Sequence, residues 1–374
     1  MKKNQVLIVG GGFAGCATAD FFASHDQFEV TLVERGGYLG AGVRTLFYGG
    51  HPYTFGPRHF LTQEPWIYEY LNKKIPMRLC GEHQFVTFVE QDSQFYSYPI
   101  HEDDVSLMPR SEEIKRQLKE CKLNNFEDVT NLEEYWIKSV GEILYNKFIK
   151  EYSHKMWQIN DNKLIDDFGW SPKGTALKSG PRAAWDTAIS AYPMAIDGYN
   201  KYFDIATRSA KVLLNTEITE FDIQHKTVCF NGKNHTYDII VNTISPDLLF
   251  KQCYGELPYV GRDLIKIVLP VEFALPKDVF FSYYAGNESY TRVCEYKKFS
   301  GYKSPSTLIT IETPSGNGKF YPMPFKSEYA RADRYFKLMP DNVFSIGRAG
   351  SYRYQVDIDD CISQARNVVE KVTK

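Results

Sequence analysis

Gly10, Gly12 and Gly15 stand in the spacing G-x-G-x-x-G, with Phe13 and Ala14 inside it, directly after the apolar run of residues 6–9. Each glycine has a physical use there: a tight turn, close approach of the backbone to a pyrophosphate, and tight packing of a helix on a sheet. A helix over about residues 15–24 would aim its first amides at the phosphates. Residues 28–33 read as a second strand that ends at Glu34, 19 residues after Gly15, where a carboxylate can accept ribose hydroxyls. A glycine-rich turn without a ligand shares the three glycines, and an ordinary strand-end charge is the minor alternative reading of Glu34 alone. The order strand, helix, strand, acid is what points to a dinucleotide.

The rest of the chain offers no clear catalytic triad, metal cluster or carboxylate dyad. Its seven cysteines, Cys16, Cys80, Cys121, Cys229, Cys253, Cys294 and Cys361, form no C-x-x-C pair. An odd, scattered set argues against a disulfide or zinc framework and for a reducing cytosol. A net charge of −2 implies no global attraction to nucleic acid or to an acidic membrane. The apolar stretch near the N-terminus is too short for a signal peptide or a membrane span. Aromatic residues make up 15% of the chain, enough either to stack on planar or sugar ligands or simply to fill a core.

A chain of 374 residues implies two or three structural units, and these must position the glycine turn. A second glycine cluster follows at residues 36–42, and Gly49, Gly50 and Gly56 lie among aromatics soon after. Glu34-Arg35 followed by Gly36-Gly37 and Gly40-x-Gly42 is similar, with looser spacing, to the pattern of FAD-binding oxidoreductase-like folds. Residues 62–74 read as a helix stopped by Pro76, and residues 78–98 as a hairpin turning at Gln91-Asp-Ser93. A helix is expected over residues 111–121. Asn131 and Glu134 have capping-box spacing for a single long helix over residues 132–157. Strands return at 212–214, 217–223, 226–230 and 237–246, the last ending in a turn, and residues 264–273, 279–284 and 307–312 read as an antiparallel sheet. A final strand runs into Gly347-Arg348, before a C-terminal helix from about residue 359. The expected class is α/β: a Rossmann-like FAD-binding domain from residues 1–61, 205–246 and 335–374, a mainly helical substrate domain at 62–204, and an antiparallel sheet domain at 247–334.

Spread over most of the chain, short segments resemble the flavin-dependent UDP-galactopyranose mutases. Tyr53-Thr-Phe-Gly-Pro-Arg-His-Phe-Leu-Thr62 is similar to the family's Y-G-x-H-x-F-x-T. Phe95-Tyr-Ser-Tyr-Pro99, Tyr152-Ser-His-Lys-Met-Trp157, Tyr290-Thr-Arg-Val-Cys-Glu295, Tyr321-Pro322 and Gly347-Arg348 with Tyr352-x-Tyr354 match further family segments in order. The resemblance implies an enzyme that holds FAD and uses it reduced, with flavin N5 attacking the anomeric carbon of a nucleotide sugar. The ring opens through an iminium and recloses through a different hydroxyl, without net redox. The cofactor then carries the hard chemistry and the protein supplies placement and charge.

Carried over residue by residue, Arg292 would pair with the diphosphate as a bidentate guanidinium. Tyr321 and Tyr354 would donate hydroxyls to the same group, and Tyr152 and Trp157 would line the nucleotide and sugar pocket. Gly10, Gly12, Phe13, Ala14, Gly15, Glu34, Arg35, Gly42, Gly347 and Arg348 would hold the cofactor. As isolated residues, Arg292 reads as a surface ion-pair residue, Tyr152 and Trp157 as helix core, and Tyr321 as a turn aromatic. Three departures surround the substrate. Arg58, with His59 after it, replaces a family histidine, and a guanidinium cannot act as a neutral imidazole. Val356 takes the place of a family acid, so that Asp357 fits only after a one-residue shift. The mobile-loop arginine has three candidates, Lys173, Lys178 and Arg182. The expected partner is a nucleotide sugar, UDP-galactose or a deoxy analogue such as dTDP-fucose, whose furanose would feed a surface polysaccharide. No nucleic acid or membrane partner is expected, and the oligomeric state stays open, a homodimer included. An amine oxidase-like flavin oxidoreductase and a non-catalytic FAD-binding protein are the competing readings.

Overall fold

The computed structural model describes residues 3–121, 128–171 and 175–374. Its first layer is a five-stranded sheet in the order Lys211–Leu213, Phe28–Val33, Asn4–Val9, Ile239–Asn242 and Val343–Ser345. Every pairing in it is parallel. We label Asn4–Val9 β1, Phe13–Phe22 α1 and Phe28–Val33 β2. β1 is central, and its side chains alternate between two cores. Val6 and Ile8 face α1 and the C-terminal helix, whereas Leu7 and Val9 face the small sheet of residues 220–236. Burial of each such side chain is worth about 1.5–3 kcal/mol, which is why a continuous apolar run, not an alternating one, marks a strand covered on both faces.

Gly10 follows β1 with φ +99°, a conformation suited to glycine. α1 then packs along β1 through Ala14, Ala17 and Cys16, all buried, and against the helices Asn200–Thr207 and Ile358–Thr373. A Cβ on Gly15 would lie 2.0 Å from the Gly10 carbonyl oxygen, so this third glycine is required by helix packing alone.

The second layer is a seven-stranded sheet in the order Tyr321–Pro322, Tyr259–Leu269, Thr307–Ser315, Arg292–Glu295, Val279–Tyr284, Gln84–Val89 and Gln94–Tyr98. All neighbours are antiparallel except Val279–Tyr284 with Gln84–Val89. The hairpin expected at 78–98 spans only residues 84–98 and extends this sheet, whereas Met77–Leu79 pairs with Ile189–Pro193 in a separate small sheet. The antiparallel sheet is also larger than the three expected runs, because Arg292–Glu295 and Tyr321–Pro322 are strands of it as well.

The helix expected over 132–157 is three helices, Leu132–Val140, Glu142–Phe148 and Lys150–Trp157. Gly141 has φ +87° and breaks the first from the second, and the Gln117 side chain fills the space where a Cβ would sit. Asn131 caps the first helix by accepting from Glu134 N at 3.0 Å, but the Glu134 carboxylate turns to Thr130 N at 2.9 Å, one residue short of a reciprocal box. The reciprocal box occurs instead at the C-terminal helix, between Asp357 and Asp360. Trp136, fully buried with its indole N–H on Ser171 Oγ at 2.9 Å, anchors the helical core. Among the described residues no helix is long and apolar enough to cross a membrane.

Candidate active site

Two cavities meet between the layers. The larger, about 560 Å³, is bounded on one side by Gly12, Phe13 and Ala14 at the start of α1. Gly42, Gly347 and Arg348 line it as well. The first turn of α1 carries neither a side-chain cap nor an acidic residue. A Cβ on Gly12 would meet only Ala41 Cβ, at 3.7 Å, so the protein itself leaves open the space beside these amides. A helix start of this kind, facing a cavity, suits a pyrophosphate. Gly347, with φ +76°, passes so close to α1 that a Cβ there would lie 2.7 Å from Ala14 Cβ.

Glu34 stands at the tip of β2 and ties two glycine loops together. Its carboxylate accepts from Gly11 N at 2.7 Å and from Gly36 N at 2.5 Å, leaving lone pairs for further donors. Arg35, next to it, is exposed. Gly10 and Gly15 shape the turn from behind and do not line the cavity.

The opposite wall comes from the seven-stranded sheet and the C-terminal segment. Arg292, Tyr321 and Tyr354 line the larger cavity together with Arg58. The same Arg292, Tyr321 and Tyr354 line the smaller, more enclosed cavity, about 70 Å³, with Tyr152 and Trp157. Tyr354 lies edge-on to two indoles, Trp157 at 4.8 Å and Trp170 at 4.6 Å between ring centres. The Trp157 Nε1 is buried without a partner among the described residues. Tyr283, which sits opposite Arg292 in the sheet, contacts the Tyr152 ring edge-on at 5.5 Å.

Charge concentrates around Tyr321. The guanidinium carbons of Arg262, Arg348 and Arg58 lie 4.6, 5.4 and 5.9 Å from its ring centre. Arg292 and Glu312 are directly opposed across two strands, and Arg292 Nη2 donates to both Glu312 oxygens at 2.6 and 2.7 Å. Arg262 approaches the same carboxylate from the next strand, Nε to Oε1 at 3.1 Å. Burial alone would push the Glu312 carboxyl up, but Arg292 and Arg262 reverse this and hold it below the ordinary value. Burial works against the charged form of Arg292, and Glu312 outweighs it. Burial also opposes ionisation of Tyr321, yet Arg58 first, then Arg292 and Arg262, leave its phenol below the usual range. Tyr354 has no such surplus of cations, and burial pushes its phenol up.

Two of the three mobile-loop candidates lie outside both cavities. Arg182 does not line either cavity; it pairs with Asp104 at 2.8 Å and lies 3.9 Å from Asp103. Lys178 is held by Asp186 and by the Ala183 carbonyl, each at 2.8 Å. Lys173 lies outside the described residues. Asp357 and Val356 both line the larger cavity; Asp357 pairs with Arg348, and Val356 presents a mostly buried apolar side chain. His59 also lines that cavity and bonds Ser190 Oγ at 2.7 Å through Nε2. Arg58 donates Nε to the Gly42 carbonyl at 3.2 Å, joining the two glycine-rich segments.

Sequence reasoning missed Arg262 and Glu312. In Thr307–Ser315 the alternation suggests Ile309 and Ile311 as the inward face. The buried face is instead Leu308, Thr310 and Glu312, because it backs onto the site. A carboxylate in register with a buried leucine was the available signal.

Residues 147–354, more than half of the chain, match the family model described as UDP-galactopyranose mutase, and residues 8–73 match that of an NAD(P)-binding Rossmann-like domain. The chain is 21% identical over 392 residues to a probable UDP-galactopyranose mutase of Klebsiella pneumoniae, covering 99% of this chain and 95% of that protein. It is 23% identical over 390 residues to a dTDP-fucopyranose mutase of Escherichia coli, covering 97% and 96%. Its fold is similar to a crystal structure of reduced UDP-galactopyranose mutase, with a TM-score of 0.84 at 14% identity, covering 99% of this chain and 96% of that one. It is less similar to putrescine oxidase, with a TM-score of 0.63 at 13% identity and coverage of 100% and 99%. With a family model matched over more than half of the chain, including the cationic sheet strands and Gly347-Arg348, the chain belongs to the UDP-galactopyranose mutase family.

Proposed function

We propose that this protein is a reduced-FAD-dependent isomerase that interconverts the pyranose and furanose forms of a nucleotide sugar. The observation that carries this reading is the group of guanidiniums around Tyr321, where the two cavities meet across from the uncapped start of α1. A nucleotide sugar needs an anion seat between a sugar pocket and a nucleoside pocket, and this arrangement supplies one. Segments 1–61, 205–246 and 335–374 would hold the cofactor, and 62–204 with 247–334 the substrate, with Arg58 and Tyr354 reaching the substrate from the cofactor segments.

FAD fits the cradle: Gly12 leaves room for a pyrophosphate, and Glu34 retains acceptor capacity for ribose hydroxyls. Bound and reduced, FAD would supply a nucleophilic nitrogen for the anomeric carbon. The protein's own work is electrostatic. Arg292 and Arg58 would take the charge that grows on the departing diphosphate, and Tyr321 and Tyr354 would fix its oxygens by donating hydroxyls. Trp157, Trp170 and Tyr152 would exclude water and pack the planar nucleobase. Arg58 would help to select the sugar nucleotide, with UDP-galactose and dTDP-fucose as the leading candidates. A reducing cytosol suits the seven free cysteines.

An amine oxidase-like activity is disfavoured by the same charges, because guanidiniums beside the site would repel a cationic amine. The test is to reduce the purified holoenzyme with dithionite and offer UDP-, dTDP- and GDP-sugars. Ring-size change without consumption of reductant is expected. Stoichiometric oxidation of an amine or alcohol, or no ring-size change on any sugar nucleotide, overturns the reading.

A further inference from the structure

The two arginines that share Glu312 are not equivalent. Arg262 is fully buried and lines neither cavity. Its other donors are fixed on the Gly261 carbonyl at 2.6 Å and the Met156 carbonyl at 3.4 Å. Arg292 lines both cavities, is partly accessible, and keeps Nε without a partner among the described residues. Glu312 is therefore anchored on one side by a cation that cannot leave and faces, on the other, a cation that can. The sheet register enforces this. Glu312 opposes Arg292 directly on one neighbour strand and Leu264 on the other, with Arg262 on the diagonal.

A carboxylate beside the cation that would receive a diphosphate is, for that ligand, a like charge at close range. It is also the only carboxylate hydrogen-bonded to Arg292 among the described residues. We propose that Glu312, anchored by Arg262, is an exchangeable resident anion of the diphosphate seat: it holds Arg292 in the empty site, gives it up to the ligand, and takes it back on release. Arg262 and Glu312 are then positioning residues, and binding is an anion exchange. A ligand with several negative charges competes for Arg292; a single carboxylate does so poorly. The exchange also keeps Arg292 from holding the diphosphate so tightly that turnover slows. This inference rests on the nucleotide-sugar reading above.

The test uses the FAD holoenzyme with UDP, dTDP and inorganic pyrophosphate as probes. Glu312→Gln keeps the shape and removes the charge. It should bind UDP or dTDP about tenfold more tightly or better. KM for the best sugar nucleotide should fall while kcat does not rise. Unchanged or weaker binding in a variant with the parent's flavin content and melting temperature overturns the proposal. Should that variant not fold, the double variant Arg262→Met, Glu312→Leu replaces the buried pair by apolar groups, a change such sites often tolerate, and the same tightening is expected. The parent itself gives a third readout: an infrared difference spectrum on UDP binding should show a carboxylate band shift absent from Glu312→Gln, and its absence in the parent overturns the exchange. A parent that binds none of the three probes overturns the functional reading together with this inference. A parent that binds and turns over, with no tightening on loss of Glu312, overturns this inference alone.

Discussion

Gly12→Val should separate the cofactor's needs from the fold's. Gly12 caps α1 with φ −71° and ψ −174°, an extended conformation that any residue adopts. The nearest atom to an added Cβ is Ala41 Cβ at 3.7 Å, an ordinary contact. The cost to the flavin-free fold is therefore only that of a poorer N-cap residue, about 1 kcal/mol. The valine side chain would fill the open space beside the first amides of α1. Losing two charge-assisted hydrogen bonds to a pyrophosphate removes about 3–6 kcal/mol of binding. That is a drop of about two to four powers of ten in FAD affinity. The assay is flavin content after purification, then reconstitution of stripped protein with FAD followed by fluorescence quenching. Melting curves must compare flavin-free forms, because bound ligand raises the apparent stability of the parent. Gly15→Ala is the contrasting control. Its Cβ would meet the Gly10 carbonyl oxygen at 2.0 Å, so it should destabilise the flavin-free protein itself. A Gly12→Val variant with the parent's FAD affinity would refute the reasoning, as would loss of flavin that simply tracks unfolding.

Arg292→Ala should retain FAD while losing turnover by about two to four powers of ten, roughly 3–5 kcal/mol of transition-state stabilisation, with Arg292→Lys between; turnover within about threefold of the parent places the diphosphate elsewhere. Arg58→His should change the relative rates on UDP-, dTDP- and GDP-sugars; a uniform gain on UDP-galactose from an inactive parent would instead mark the parent as an inactivated protein. Tyr321, lowered by Arg58, Arg292 and Arg262 against burial, should ionise before the other buried tyrosines as pH rises, and UDP should push it back up; near-ultraviolet titration of the parent against Tyr321→Phe checks this. Asp359 is pushed up to about 6 by burial, with Asp360 and Asp357 adding to it, from an ordinary 3.8. The folded state thus binds this proton more tightly than the unfolded one, so stability falls as pH rises between those values, and Asp359→Asn should raise the melting temperature at neutral pH but not below about pH 4.

The parallel sheet was legible because its signals are local. Residues 6–9 carry an uninterrupted apolar run, glycines follow at fixed spacing, and Glu34 closes the next strand. The break at Gly141 was not read, because the apolar residues of 132–157 keep the helical period across it. Only the packing of Gln117 against Gly141 shows that the chain must turn there. The cationic wall was half legible. Arg292, Tyr321 and Tyr354 stand in segments similar to the family's, whereas Arg262 and Glu312 sit in strands whose alternation suggests the opposite inward face. An isoleucine run next to a glutamate cannot reveal that the polar face is the buried one. That choice is made by register with the neighbouring strands, a long-range property.

The two layers divide the electrostatic work according to what each can hold rigid. The parallel sheet ends in a helix start, whose amides are neutral and need no counter-charge, so it can face a cofactor pyrophosphate without paired acids nearby. The antiparallel sheet offers cross-strand positions, where long cationic side chains stand side by side only if carboxylates are built in with them. Glu312 serves that purpose for Arg262 and Arg292, and outside the sheet Asp357, at the cap of the C-terminal helix, pairs with Arg348. With Arg58 included, four guanidiniums against two carboxylates leave a net charge of +2 around Tyr321. Among the described residues, a site of this kind, walled by Trp157, Trp170 and Tyr152, has no side chain poised as a strong nucleophile, since burial pushes the Cys361 thiol up. It is suited to chemistry in which a cofactor makes and breaks the covalent bonds and the protein stabilises a multiply charged leaving group until that group attacks again.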